Sequence, residues 1–213
     1  MDAGILPVKG PHRAKARLAE DLGNSERAEV VAALLADAFA LCESATFLSW
    51  WVVSDDEGVL SAAAARGFET VEDPGEGLNP AVSAALESVS RAGASSATIV
   101  PCDVPLAWAG DLQDLLDTGA TSDVVIVPSR DGGTNGLYLG PPDVMTPLFG
   151  PGSLRAHIEE AERRGIRCSI LSLPRVELDI DTIEDVDAFL AIPKHAGSRT
   201  NEVLVRLRKA ARA

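Results

Sequence analysis

Short apolar runs alternate along this chain with longer amphipathic segments. The runs are rich in Val, Ile and Leu and predict buried strands at residues 4–8, 46–53, 68–71, 97–100, 123–128, 137–140 and 168–173. The segments repeat apolar residues at spacings of three and four and predict helices at residues 26–44, 56–66, 80–92, 110–116, 153–164 and 182–190. The repeated alternation predicts an α/β fold with a doubly wound, mostly parallel sheet.

Polar residues before several helices favour N-caps. The expected caps are Asn24 or Ser25, Asn79 ahead of Pro80, and Ser153. Asp181, followed three residues later by Glu184, has the form of a capping box. In the extended Asp179-Ile180-Asp181 segment both acids lie on one side, so a capping Asp181 leaves Asp179 free to face a cleft.

Composition is that of a globular protein, with 213 residues of which 46% are hydrophobic and 24% charged. We expect one domain over residues 1–193 and a basic tail over residues 194–213. The sequence shows no signal peptide and no apolar stretch of the roughly 18 residues that span a membrane. A cytoplasmic protein without a membrane partner is therefore expected.

Charge is distributed unevenly between the tail and the body. The tail carries six basic residues and one acid, which leaves 13 basic and 31 acidic residues, a net charge of −18, in the body. Such a body repels nucleic acid, so no nucleic-acid partner is expected. The tail can form a helix with Val203, Leu204 and Leu207 on one face. This face packs on the body or on another subunit, or frays in solvent, which leaves a homodimer open.

Common catalytic and metal-binding motifs are absent. The sequence contains no GxxxxGK[ST], GxGxxG or GxSxG, and its three cysteines show no CxxC spacing. Cys102 is interpreted as a small buried hydrophobe and not as a nucleophile. His157 lies inside a predicted helix, where a packed or solvated residue is expected and not a base. His12 could assist a phosphate.

Asp103 follows the predicted strand at residues 97–100 and lies between Pro101 and Pro105. Ligands of open α/β sheets bind beyond the carboxyl ends of the strands, where a carboxylate can hold a metal ion. Asp is equally favoured as a helix cap or in a turn. From the residues alone, both interpretations stay open.

Further candidate ligands follow other strands. Lys9, Arg13, Lys15 and Arg17 come after the first strand and can hold phosphates, although a solvated helix face explains them equally well. Asp103 and Asp179 together could hold Mg²⁺ beside substrate phosphates. The small-residue loops at residues 130–136 and 149–153 could point backbone N–H groups at an anion.

Six segments resemble, in the same order, the CofC/FbiD guanylyltransferases of coenzyme F(420) biosynthesis. They are LPVKGPHRAKARL, EDPGEGLNPAV, PCDVPL, RDGGTNGL, FGPGSLRAHIEEAERRG and LDIDTIEDV, and the match spans roughly residues 5–190. The resemblance implies a nucleotide-diphospho-sugar-transferase-like fold, related to the molybdopterin guanylyltransferases. Val104 departs from the family's usual Asp-Leu-Pro, and the glycine-rich start of the molybdopterin relatives is missing.

The resemblance implies transfer of GMP from GTP to a three-carbon phosphorylated acid, with release of pyrophosphate. An Ala- and Arg-rich composition suggests a bacterial source and hence phosphoenolpyruvate as acceptor. The alternatives are 2-phospho-L-lactate and 3-phospho-D-glycerate. Other readings are a molybdopterin or sugar-phosphate nucleotidylyltransferase, or a non-catalytic GTP-binding module. The product would pass to the next enzyme of the pathway.

Carried over position by position, the resemblance assigns roles to ten residues. Phosphate contacts and catalysis are expected from Lys9, supported by Lys15 and Arg17, together with Asp103. Asp103 and Asp179 would hold Mg²⁺. Thr134, Gly150 and Ser153 would bind the acceptor, and Leu78 and Asn79 would hold guanine and ribose.

Overall fold

The computed structural model describes residues 1–10, 15–192 and 198–210. His12, Arg13 and the tail residues Lys194 and Arg212 lie outside these ranges. Within them, no helix is both long and apolar enough to cross a bilayer.

One mixed sheet forms the centre of the described chain. Its strands are β1 (Asp2–Val8), β2 (Ser49–Ser54), β3 (Glu69–Glu72), β4 (Ser96–Ile99), β5 (Val124–Pro128), β6 (Thr134–Leu139) and β7 (Cys168–Ile170). The strand order is β3-β2-β1-β4-β6-β5-β7, and β6 runs antiparallel to both its neighbours while the other pairs are parallel. The mostly parallel sheet predicted from the sequence is confirmed.

Helices cover both faces of the sheet. They are α1 (Asn24–Ser44), α2 (Glu57–Ala64), α3 (Leu78–Arg91), α4 (Ala109–Gly119), α5 (Ser153–Arg164), α6 (Ile183–Leu190) and α7 (Arg199–Ala210), with a 3-10 turn at Ala16–Glu20. Neighbouring residues of β1 point to opposite faces: Leu6 packs with α1, α2 and α4, whereas Ile5 packs with α3 and α5. The sheet is therefore doubly wound, as predicted.

Three of the predicted helix caps are wrong, Asn24 and Ser153 by one residue and Asn79 by two. Each lies within the first turn of its helix, and the residue before the helix is a glycine. Gly77 and Gly152 adopt φ values of 111° and 71°, which glycine reaches without the steric cost of a side chain. The polar residues that predict caps thus lie inside the helices, one or two residues after the glycines that precede them.

The loop predicted at residues 130–136 is shorter in the structure, because β6 already begins at Thr134. Pro128 of β5 pairs with Thr134 across the turn, and the register shifts between Val127 and Pro128. Since β6 is antiparallel, its first residues lie at the edge where the parallel strands end. This edge carries the candidate site.

The basic tail contains α7, which packs against α1. Leu204 and Leu207 are buried in one apolar cluster with Leu18 of the 3-10 turn and with Leu178 and Ile180. At the N-terminus of α7, two backbone N–H groups donate hydrogen bonds of 2.9 Å to the carboxylate of Asp37 in α1. A carboxylate at a helix N-terminus satisfies free N–H groups and opposes the helix dipole.

Candidate active site

Three carboxylates meet at the carboxyl edge of the sheet. One oxygen each of Asp103, Asp179 and Asp181 lies within 4.8 Å of the others. The Ile180 N–H donates a 3.0 Å hydrogen bond to the Asp103 carbonyl, which fixes the extended segment 179–181 beside the end of β4. Asp179 and Asp181, two residues apart, then face the same side. These three residues are called the acidic cluster below.

Asp181 belongs to the acidic cluster because it does not cap α6. The helix begins at Ile183, and Thr182 is the cap: its Oγ1 accepts a hydrogen bond from the Asp185 N–H. The Asp185 carboxylate accepts the Thr182 N–H in return, at 2.8 Å. The predicted capping box of Asp181 and Glu184 is therefore wrong by one residue, and the side chain of Asp181 is left for the site.

The acidic cluster has unsatisfied negative charge. Oδ1 of Asp103 is buried and has no hydrogen-bond partner in the part of the chain that the structure describes. Burial raises the pKa of the Asp179 carboxyl. The negative charges of Asp103 and Asp181 raise this pKa further, whereas a 3.0 Å hydrogen bond from Asn135 lowers it. Three carboxylates with an unpartnered oxygen form a suitable donor set for a hard divalent cation.

Lys15 bridges two members of the acidic cluster. Its Nζ lies 2.5 Å from Oδ2 of Asp103 and 2.6 Å from Oδ1 of Asp181. Burial alone would lower the pKa of Lys15, but the two carboxylates outweigh it and raise this pKa above its ordinary value. Its backbone is left-handed, with φ 58°, which is uncommon for a residue other than glycine.

The other predicted phosphate ligands lie around the same cavity. Nη1 of Arg17 is 3.8 Å from Oδ2 of Asp181, and its side chain is 69% exposed. Lys9 is also exposed. A cavity of about 370 Å³ is lined by Lys9, Lys15, Arg17, Asp103, Asp181 and Leu78, with apolar residues of α1 and β2. Its volume lies within the range of small-molecule sites.

Thr134, Gly150 and Ser153, the predicted acceptor ligands, lie close together. Ser153 Oγ donates to Thr134 Oγ1 over 3.2 Å, and the Ser153 N–H donates to the Gly150 carbonyl over 3.0 Å. Gly150 has φ 136°, and no atom lies within 4 Å of where a Cβ would stand. This loop therefore leaves open space above the N-terminus of α5.

The side chain of Asn79 binds the same loop and does not line the cavity. Its Oδ1 accepts the Phe149 N–H at 2.7 Å, and its Nδ2 donates to the Phe149 carbonyl at 2.9 Å. Leu78, by contrast, lines the cavity. A contact of the Asn79 side chain with guanine or ribose stays a prediction, and it would require the amide to leave Phe149.

Three residues of the site were not assigned to it from the sequence: Asp181, Asn135 and His157. Asn135 lies opposite Thr134 in the strand alternation of β6, and this could have indicated its link to Asp179. His157 is fully buried, as a packed histidine would be. Cys102 is half-buried in the cavity lining, and burial raises the pKa of its thiol to about 12, which disfavours the thiolate.

Comparison with known proteins gives consistent results over the whole chain. A family model described as "Guanylyl transferase CofC like" matches residues 3–211. A phosphoenolpyruvate guanylyltransferase of Roseiflexus castenholzii is 36% identical over 208 residues, covering 98% of this chain and 97% of the relative. A 2-phospho-L-lactate guanylyltransferase of Methanothermobacter thermautotrophicus is 35% identical over 206 residues, covering 96% and 90%.

Solved structures show the same fold. A Desulfovibrio desulfuricans protein classed with the nucleotide-diphospho-sugar transferases superimposes with a TM-score of 0.81 at 19% identity, covering 98% of this chain and 95% of that one. A nucleotidyl transferase of Methanothermobacter thermautotrophicus gives a TM-score of 0.62 at 16% identity, covering 97% and 99%. The nucleotide-diphospho-sugar-transferase-like architecture expected from the resemblance is confirmed.

Proposed function

The chain belongs to the family of CofC-like guanylyl transferases, and on that premise we propose that it transfers the guanylyl group of GTP to phosphoenolpyruvate. The observation that carries the proposal is the acidic cluster, with the partnerless oxygen of Asp103. Two of its members, Asp103 and Asp181, line a cavity that Lys15 and Arg17 also line. Carboxylates suited to a divalent cation and basic side chains suited to a triphosphate thus lie side by side.

The reaction needs no protein nucleophile. A phosphate oxygen of the acceptor attacks the α-phosphorus of GTP, and a new P–O bond forms. The bond from the α-phosphorus to the oxygen that bridges to the β-phosphorus breaks, and pyrophosphate leaves with that oxygen. Because the attacking oxygen is already anionic, the protein contributes in-line positioning and charge neutralisation.

Asp103, Asp179 and Asp181 would together hold the divalent cation, which we propose is Mg²⁺. When bound, Mg²⁺ supplies positive charge to the phosphate oxygens. Lys15 and Arg17, both beside Asp181, would contact phosphates together with Lys9. Asn135 holds Asp179 in place through its 3.0 Å hydrogen bond.

The acceptor would lie against the loop before α5. Its carboxylate and phosphate would meet the hydroxyls of Thr134 and Ser153 and the backbone at Gly150, at the positive end of the helix dipole. The cavity beside Leu78 would take guanine and ribose. The product, a guanylylated diphosphate, would be consumed by the next enzyme of coenzyme F(420) biosynthesis.

Pyrophosphate release tests the proposal directly. Purified protein with GTP and Mg²⁺ is given phosphoenolpyruvate, 2-phospho-L-lactate or 3-phospho-D-glycerate in separate assays, and we expect phosphoenolpyruvate to give the highest kcat/KM. Release with none of the three acceptors overturns the proposal, and a preference for phospholactate corrects the acceptor. Asp103→Asn should abolish release, whereas Asp114→Asn, which removes an exposed carboxylate of α4, should not.

A further inference from the structure

Two elements, α5 and β6, contribute the side chains of a buried hydrogen-bond network behind the acceptor loop. We propose that His157 is a positioning residue for the acceptor subsite, which fixes the Thr134 hydroxyl as a proton donor toward the bound acid and anchors the loop at residues 148–153. The inference rests on the proposed function only in its identification of Thr134 and Ser153 as acceptor ligands.

The direction of each hydrogen bond follows from the partners of the imidazole. The Leu148 N–H donates to Nε2 of His157 over 2.8 Å, so Nε2 carries a lone pair. In a neutral ring the proton is then on Nδ1, which lies 3.1 Å from Thr134 Oγ1. Nδ1 therefore donates, and the Thr134 oxygen accepts, sharing this proton with the Ser153 backbone.

Thr134 also receives a second donor. Ser153 Oγ donates to the same Thr134 oxygen over 3.2 Å. A hydroxyl has two lone pairs and one proton, so both lone pairs are engaged and the proton is left for a third partner. An anionic carboxylate or phosphate of the acceptor is the complementary group, and a hydrogen bond to a charged group is worth more than one to a neutral group.

The imidazole of His157 is suited to orienting the Thr134 hydroxyl as a neutral group, and not to supplying a positive charge. His157 is fully buried, and burial lowers its pKa to about 4, only partly offset by a hydrogen bond to the Ser153 backbone. It therefore stays neutral at the pH of turnover. A protonated ring would have to give up the bond from Leu148, because Nε2 could no longer accept.

The same side chain joins the loop to the body. His157 holds Leu148, its ring packs edge-on against Phe149 at 5.4 Å between centroids, and Asn79 holds the Phe149 N–H and carbonyl. Two successive loop residues are thus fixed by side chains from α5 and α3, immediately before Gly150. The position of the acceptor loop consequently depends on these two side chains.

Steady-state kinetics test the role in the assay above. His157→Leu should raise the KM of the preferred acceptor by at least roughly tenfold, as expected for a lost hydrogen bond to a charged group, while the KM of GTP stays within twofold. His157→Asn can place an amide donor near the Nδ1 position and should recover most of the acceptor KM. Equal changes in both KM values, or no change in either, would overturn the proposal.

A double-mutant cycle separates positioning from general loosening. Thr134→Val removes the hydroxyl that His157 orients, so His157→Leu should raise the acceptor KM much less in the Thr134→Val background than in the wild type. Full additivity of the two substitutions contradicts a shared role.

An NMR measurement on the wild-type protein does not depend on any acceptor or variant. With ¹⁵N-labelled imidazoles, His157 should show the Nδ1–H tautomer and no titration between pH 6 and 8. An Nε2–H tautomer, or titration near 6.5, refutes the inference even if the enzyme turns over. Conversely, no turnover with the expected NMR signature would count against the proposed function and leave the network established.

Discussion

The buried His157 makes a quantitative prediction about stability and pH. Its pKa is about 4 in the folded chain against an ordinary value of 6.5, and burial is the cause. Between these two values the unfolded chain binds a proton that the folded chain rejects. The contribution to stability is therefore complete above pH 6.5 and is lost as the pH falls toward 4.

The size of the effect follows from the two pKa values. At pH 5 the unfolded imidazole is almost wholly protonated and the folded one is mostly neutral. Each pH unit between the two pKa values corresponds to about 1.36 kcal/mol, but only part of this interval has been crossed at pH 5. The unfolding free energy at pH 5 is therefore lower than at pH 8 by about 2 kcal/mol. In a chain of this length that corresponds to a fall in Tm of roughly 4–8 °C.

Urea unfolding at pH 5 and pH 8, in wild type and His157→Asn, isolates this contribution. The variant lacks the titrating group, so its loss of stability should be smaller by about 2 kcal/mol. Asp179, whose raised pKa acts in the opposite direction, is present in both proteins and cancels. Identical pH dependence of wild type and variant would refute the reasoning, because another group would then account for the acid sensitivity.

Three further substitutions test separate parts of the structure. Mg²⁺ should raise the Tm of the wild type but hardly that of Asp181→Asn, measured by thermal shift, and equal stabilisation would remove Asp181 from the cation site. Gly152→Ala places a Cβ at φ 71° and should lower the unfolding free energy by about 1 kcal/mol, determined in urea; an unchanged value means that the loop relaxes. Thr182→Ala removes the cap of α6 and should also cost about 1 kcal/mol, whereas Thr118→Ala, at a site outside any cap, should cost less.

The alternation of strands and helices was enough to predict the sheet and its two covered faces, because hydrophobic periodicity is a local property. It was not enough for β6. Thr134 and Asn135 lie in a run of small and polar residues that resembles a loop, and they become strand through pairing with β5, in which Pro128 lies opposite Thr134. Tertiary pairing here overrides a weak local propensity.

The acidic cluster shows the same limit at the level of single side chains. Asp181 and Thr182 are both good caps, and the sequence offers no local reason to choose between them. The choice is made by Lys15, whose ammonium binds Asp181 across 166 positions of the chain and Asp103 across 88. Contacts of that range leave no periodic signal. The resemblance of short motifs supplied Lys15, Asp103 and Asp179, but not Asp181.

The packing of α7 has a consequence for the order in which the protein forms. Leu18, next to Arg17, for which we propose phosphate binding, shares its buried cluster with Leu204 and Leu207, nearly two hundred residues later. During synthesis the sheet can assemble from residues already outside the ribosome, but this cluster closes only after residue 207 emerges. The growing chain should thus pass through a state with a formed sheet, in which the proposed phosphate site is incomplete until its last helix docks.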